Sequence, residues 1–121
     1  MDTHAILWWL MDDPRLSRAA VTALDDTANE LFVSSVAAYE IAYKQGSGRL
    51  APLPEGLSRR LQRAGITVVP LSLDHALAAA ALPWPHRDPW DRIMVAQAQA
   101  EDLTVVTADH VFATYGVPVL W

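Results

Sequence analysis

The chain has no cysteine and only one lysine among its 121 residues. The lack of cysteine excludes disulfides, zinc–thiolate sites and cysteine nucleophiles, and it fits a reducing compartment such as the cytoplasm. No hydrophobic run is long enough to span a membrane, and no basic region precedes the first apolar stretch. We therefore expect a cytoplasmic protein with neither a transmembrane helix nor a signal peptide.

Positive charge is also scarce, since nine Lys and Arg residues face fourteen Asp and Glu residues, for a net charge of −5. This balance argues against a general nucleic-acid binder, which usually carries a basic face, unless the acids are concentrated in a site that binds cations. Hydrophobic residues make up 52% of the chain, which is a globular composition. The length indicates one domain covering residues 1–121.

Helical and strand patterns alternate along the chain. We predict helices over residues 3–11, 14–26, 35–45, 54–65, 75–82 and 89–101. The predicted start signals include Asp13 as a cap before Pro14, Pro54, the cap Asp74, and Asp88 before Pro89. Short apolar runs predict strands over residues 31–34, 66–69, 103–106 and 117–120. Strands separated by helices require crossover connections, so the expected fold class is α/β, with a central short parallel sheet flanked by helices.

Ligands of such sheets bind beyond the carboxyl ends of the strands, and this rule sorts the acids. Glu40 and Asp109 follow predicted strands, Asp2 precedes the first helix, and Asp91 lies in the first turn of a helix. Other acids directly precede strands, at the opposite end of the sheet: Glu30, Glu101 and Asp102. The sorting selects Asp2, Glu40, Asp91 and Asp109 as candidates for one site.

Each candidate also has an ordinary structural interpretation. Asp2, Asp91 and Asp109 could belong to helix N-termini, and Glu40 could pair with Lys44 at i,i+4. Several carboxylates that converge on one sheet edge would, however, repel one another. A bound hard divalent cation removes that repulsion, because Mg²⁺ and Mn²⁺ prefer oxygen ligands. Such an ion can also activate a water molecule to attack a phosphodiester.

Four segments resemble those of PIN-domain nucleases, specifically the VapC-type toxins of bacterial toxin–antitoxin pairs. They are DTHAILWWL at 2–10, SSVAAYEI at 34–41, HRDPWDRIMVAQA at 86–98, and TAD at 107–109 followed by Tyr115 and VPVL at 117–120. The third segment is the most specific, and all four occur in the family's order and spacing. The resemblance covers essentially the whole chain.

The resemblance implies a PIN-like three-layer fold and an endoribonuclease that depends on Mg²⁺, with Mn²⁺ as an alternative. It also implies a homodimer, an RNA substrate and inhibition by a cognate VapB-type antitoxin. Carried over by position, the catalytic and metal-binding acids are Asp2, Glu40, Asp91 and Asp109. Asp91 is preferred to Asp88 as the third acid, because Asp88 fits an N-cap before Pro89.

Further residues near the predicted site have weaker signals. Asp88 and His4 are candidates to assist the metal ligands or to contact the substrate, and Arg87 and Arg92 are candidates to contact RNA. Charge balance around the acids is an alternative for the arginines, and for Arg92 it is an equally good one. One departure from the family concerns the start, where only Met1 precedes Asp2 instead of a short apolar strand. Two alternative functions stay open: an inactive PIN-like module that only binds a partner, and a phosphohydrolase acting on small phosphate esters.

Overall fold

A computed structural model describes residues 1–53, 55–83 and 88–121. Within them, seven helices and four strands alternate along the chain. The helices are α1 Thr3–Leu10, α2 Arg18–Asp25, α3 Ser35–Gly46, α4 Leu57–Arg63, α5 Leu73–Ala81, α6 Pro89–Ala100 and α7 Val111–Thr114. The strands are β1 Phe32–Ser34, β2 Thr67–Val69, β3 Val105–Val106 and β4 Val119–Leu120.

All strand pairs are parallel, which confirms the predicted α/β class. β1 pairs with β2, with Val33 opposite Val68, and β3 pairs with β4, with Val105 opposite Val119. Among the described residues these form two separate two-stranded sheets rather than the one continuous sheet that was expected.

The first two residues of the chain connect the two sheets. The Met1 amino group donates a hydrogen bond to the Phe32 carbonyl at 3.2 Å. The next amide, that of Asp2, donates to the Val106 carbonyl at 3.1 Å. Met1 and Asp2 therefore lie between β1 and β3 in the place of a very short central strand, which positions Asp2 between the carboxyl ends of both.

The core is apolar and draws on every layer. Its largest fully buried side chains come from four helices and one strand: Phe112 of α7, Ile6 of α1, Ile41 of α3, Val95 of α6 and Val33 of β1. Truncating such a side chain to alanine costs about 2–5 kcal/mol of stability. The core residues of α1, α3 and α6 therefore hold in place the helices that carry or follow Asp2, Glu40 and Asp91.

Helix starts follow capping chemistry, with two corrections to the sequence predictions. The predicted start of α2 at Asp13–Pro14 is wrong, because Asp13 forms a turn with Arg15 and the Ser17 side chain caps the helix instead. The predicted Asp74 cap of α5 is also wrong, because the Ser72 side chain accepts from the His75 amide in a capping box.

Three other boundaries differ or fall outside the described residues. Helix α4 begins at Leu57, later than predicted, and Pro54, which was predicted to open it, lies outside the described residues. β3 and β4 are each two residues long, shorter than predicted. None of the helices in the described part of the chain is long and apolar enough to cross a membrane.

Candidate active site

Asp2 is a buried carboxylate, 7% exposed, with both of its oxygens engaged. Oδ1 accepts from the Ala5 amide at 2.6 Å, which makes Asp2 the N-cap of α1. Oδ2 accepts from the Thr107 hydroxyl at 2.5 Å. A charged group taken out of water needs such partners, so these contacts hold the carboxylate in one orientation.

Thr107 connects Asp2 to Asp109 at the end of β3. Its hydroxyl oxygen accepts a hydrogen bond from the Asp109 amide at 2.9 Å, while the same hydroxyl donates a hydrogen bond to Asp2. The exposed Asp109 side chain accepts from the Val111 amide at 2.9 Å, at the start of α7. One buried hydroxyl thus fixes the spacing between the first and last candidate acids.

Glu40 lies in α3 and is held by two donors. Thr3 donates its hydroxyl proton to Oε2 at 2.6 Å, and the Lys44 ammonium lies 2.7 Å from Oε1. Partial burial raises the pKa of Glu40, but the hydrogen bonds from Lys44 and Thr3, with the charges of Lys44 and His4, outweigh it and leave the pKa below its usual value. Glu40 is therefore ionised at neutral pH.

Asp91 lies in the first turn of α6, half-buried, where the predicted N-terminal pattern is confirmed. The Asp88 side chain accepts from the Trp90 amide at 2.9 Å, and Pro89 occupies the first turn. The Trp90 ring lies 5.4 Å from that of Tyr39. Because Tyr39 precedes Glu40 and Trp90 precedes Asp91, this contact places the start of α6 beside α3.

One threonine hydroxyl, that of Thr107, thus joins the Asp2 carboxylate to the Asp109 amide, and a second, that of Thr3, joins the residue after Asp2 to Glu40. The Asp91 turn lies beside the Glu40 helix. The donor set suits a hard cation, because carboxylate oxygens are the ligands that Mg²⁺ prefers. Within residues 1–53, 55–83 and 88–121, however, no three acid or histidine side chains are arranged to hold a metal ion. Hydroxyl groups and Lys44 stabilise the carboxylates of Asp2 and Glu40 instead.

The other candidate residues differ in their surroundings. Arg92 is buried, and its guanidinium donates to the Ala79 and Leu82 carbonyls at the end of α5. These bonds satisfy carbonyls that a helix end leaves open, so they give Arg92 a structural role away from solvent. His4 is exposed, with its ring 5.8 Å from that of Trp8. Arg87 lies outside the described residues.

The chain is similar to known proteins over most of its length. The family model described as "PIN domain" matches residues 1–118. The chain belongs to the PIN domain family. It is 31% identical over 113 residues to ribonuclease VapC22 of Mycobacterium tuberculosis, a match that covers 91% of this chain and 85% of that protein. The sequence resemblance to VapC-type PIN-domain ribonucleases is therefore confirmed.

Two residues of this PIN domain that the sequence analysis did not single out are Thr3 and Thr107. Both are almost fully buried, at 3% and 2% exposed, and each donates a hydroxyl proton to a candidate acid. A signal was present, since each threonine lies within two residues of a candidate acid in the sequence. Only the fold, however, reveals that Thr3 reaches Glu40 and Thr107 reaches Asp2.

Proposed function

We propose that this chain is a Mg²⁺-dependent endoribonuclease, with Mn²⁺ as an alternative ion, and the toxin of a type II VapBC-type toxin–antitoxin system. The observation that carries the proposal, in a PIN-family chain, is a pair of threonine hydroxyls after β1 and β3. Thr107 bonds both Asp2 and the Asp109 amide, and Thr3, the residue after Asp2, bonds Glu40. The resemblance to a protein named ribonuclease VapC22 supports RNA as the substrate.

In this proposal Asp2, Glu40, Asp91 and Asp109 hold the ion. A bound divalent ion supplies a water of lowered pKa and balances the charge of the phosphate oxygens. Thr3 and Thr107 orient the side chains of Glu40 and Asp2 by donating hydrogen bonds to them. The Lys44 ammonium lies 2.7 Å from Glu40; in this proposal the pair separates when the ion binds, and Lys44 then contacts a phosphate of the RNA backbone.

The proposed partners are a VapB-type antitoxin and a second copy of the chain. Exposed leucines support an interface: Leu73 is 74% and Leu77 is 60% exposed on α5, with Leu71 next to them at 43%. Contiguous apolar surface of this kind is typical of protein–protein contacts. We further propose that residues 1–121 form a single PIN domain that acts in the cytoplasm.

The test is cleavage of total cellular RNA by the purified chain, with Mg²⁺ and with EDTA, beside Asp91→Asn. The matched control is Asp74→Asn, because Asp74 occupies the first turn of α5 as Asp91 occupies that of α6. We expect discrete fragments that need the metal ion, persist with Asp74→Asn and fall at least about 100-fold with Asp91→Asn, the scale on which one charge-stabilising group acts.

Two observations favour a second candidate, a catalytically inactive module that only binds a partner. The Lys44 ammonium occupies one carboxylate oxygen of Glu40 at 2.7 Å. The described residues also contain no group of three acid or histidine side chains arranged to hold a metal ion. The same assay decides between the two candidates. No cleavage by a folded chain in any lane, or equal cleavage by wild type and Asp91→Asn, would refute the nuclease with this site.

A further inference from the structure

Three exposed aromatic rings border the candidate active site: those of Tyr39 and Tyr43 on α3 and that of Trp90 on α6. Tyr39 and Tyr43 are each 54% exposed, and Trp90 is 36% exposed. The two tyrosine rings are nearly parallel, at 20° with their centroids 6.0 Å apart, and the Trp90 ring lies 5.4 Å from that of Tyr39. The three side chains form one continuous exposed surface, called the aromatic cluster below.

The aromatic cluster lies next to two of the candidate metal ligands. Tyr39 directly precedes Glu40 in α3, and Trp90 directly precedes Asp91 in α6. Successive Cα atoms are about 3.8 Å apart, so the rings begin within about one nucleotide of the acids. A base next to a phosphate bound at the acids can therefore reach the rings.

The elements beneath the aromatic cluster hold it in place. On the other side of α3, Ala37 and Ile41 are fully buried in the core. At the start of α6, the Asp88 side chain accepts a hydrogen bond from the Trp90 amide at 2.9 Å. Rings carried by anchored helices are already ordered, so a ligand that stacks on them loses little of its binding energy to ordering the protein.

The charge of the chain indicates which part of an RNA strand the cluster binds. The net charge is −5, so general attraction to phosphates contributes less here than in a basic RNA-binding protein. Bases are uncharged, and unpaired bases stack on tyrosine and tryptophan rings. Stacking therefore supplies an affinity for RNA that the overall charge of this chain does not.

We propose that the aromatic cluster stacks an unpaired base of RNA beside the phosphate that is held at the acids. This inference rests on the proposed nuclease function and adds the class of substrate, which is RNA that is single-stranded where it is bound. Bases of a double helix are stacked inside the duplex and cannot lie on the rings. The cluster thus selects loops and single strands over paired RNA.

Binding is measured by the anisotropy of a fluorescein-labelled 2′-O-methyl adenosine hexamer with uncharged methylphosphonate linkages, which reports on the bases without cleavage. A hexamer of abasic residues is the ligand control. Tyr39→Ala should weaken binding of the adenosine hexamer at least about fivefold, the low end of the effect of one stacked ring. Tyr39→Phe keeps the ring and should bind within about twofold of wild type. Met11→Ala is the matched control, because Met11 is 53% exposed at the opposite end of α1 from Asp2.

Cleavage of single-stranded RNA with Mg²⁺ is the second measurement, and Tyr39→Ala should raise KM by a similar factor with a smaller change in kcat. A chain that cleaves no RNA but binds the hexamer through Tyr39 would refute the nuclease and support the cluster as an RNA-binding surface. The inference is overturned when Tyr39→Ala and Met11→Ala behave alike in both measurements, or when the abasic hexamer binds equally well. It is also overturned when Tyr39→Ala abolishes self-association, measured by light scattering, and changes neither RNA measurement.

Discussion

Replacing Thr107 with valine should destabilise the chain more than the loss of one surface hydroxyl would. The Thr107 hydroxyl donates to the buried Asp2 carboxylate at 2.5 Å and accepts from the Asp109 amide at 2.9 Å. Valine keeps the shape and removes both bonds. A hydrogen bond to a charged group contributes about 1.5–3 kcal/mol, and the bond from the amide about 0.5–1.5 kcal/mol. We therefore expect a loss of about 2–4.5 kcal/mol in the free energy of unfolding.

Urea denaturation measures this loss. The free energy of unfolding falls by about 2 kcal/mol per molar urea for a chain of this size, so the urea midpoint should fall by about 1–2 M. Thr107→Ser is the matched control, because it keeps the hydroxyl and removes one buried methyl group, for about 1 kcal/mol. The reasoning fails if Thr107→Val stays within about 0.5 kcal/mol of wild type, or if serine destabilises as much as valine.

Two further predictions concern Glu40 and Arg92. The lowered pKa of Glu40 means that its charge stabilises the fold above its ordinary pKa of 4.5, and that this contribution is lost as the pH falls through the lower folded value. The difference in free energy of unfolding between wild type and Glu40→Gln is measured by urea unfolding from pH 7 to pH 2.5. It should be constant above about pH 5 and shrink below it. A difference that widens in acid would contradict the lowered pKa of Glu40. Arg92→Lys should lower the melting temperature, because an ammonium cannot reproduce the fork that bonds Ala79 and Leu82, with a loss of about 1.5–3 kcal/mol. The exposed Arg59→Lys serves as its control, and equal melting temperatures for both variants would refute the structural role of Arg92.

The sequence was sufficient for those parts of the fold that depend on local chemistry. Apolar runs located all four strands, and the Asp88–Pro89 pair located the start of α6, because capping and strand burial are readable within a few residues. Two predicted helix caps were wrong, although both predictions used the same capping rule that located α6. Several capping residues stood close together, and the choice of Ser17 over Asp13 and of Ser72 over Asp74 depended on how the preceding chain turns.

The sequence by itself also determined the family and the choice of candidate acids, since both rest on residue types at fixed positions along the chain. Only the tertiary structure decided which groups stabilise those acids, because the hydroxyl of Thr107 and the carboxylate of Asp2 are 105 residues apart. It likewise decided that Arg92 is buried against the end of α5. Contacts between distant residues depend on how whole elements pack, and no local pattern in the sequence records them.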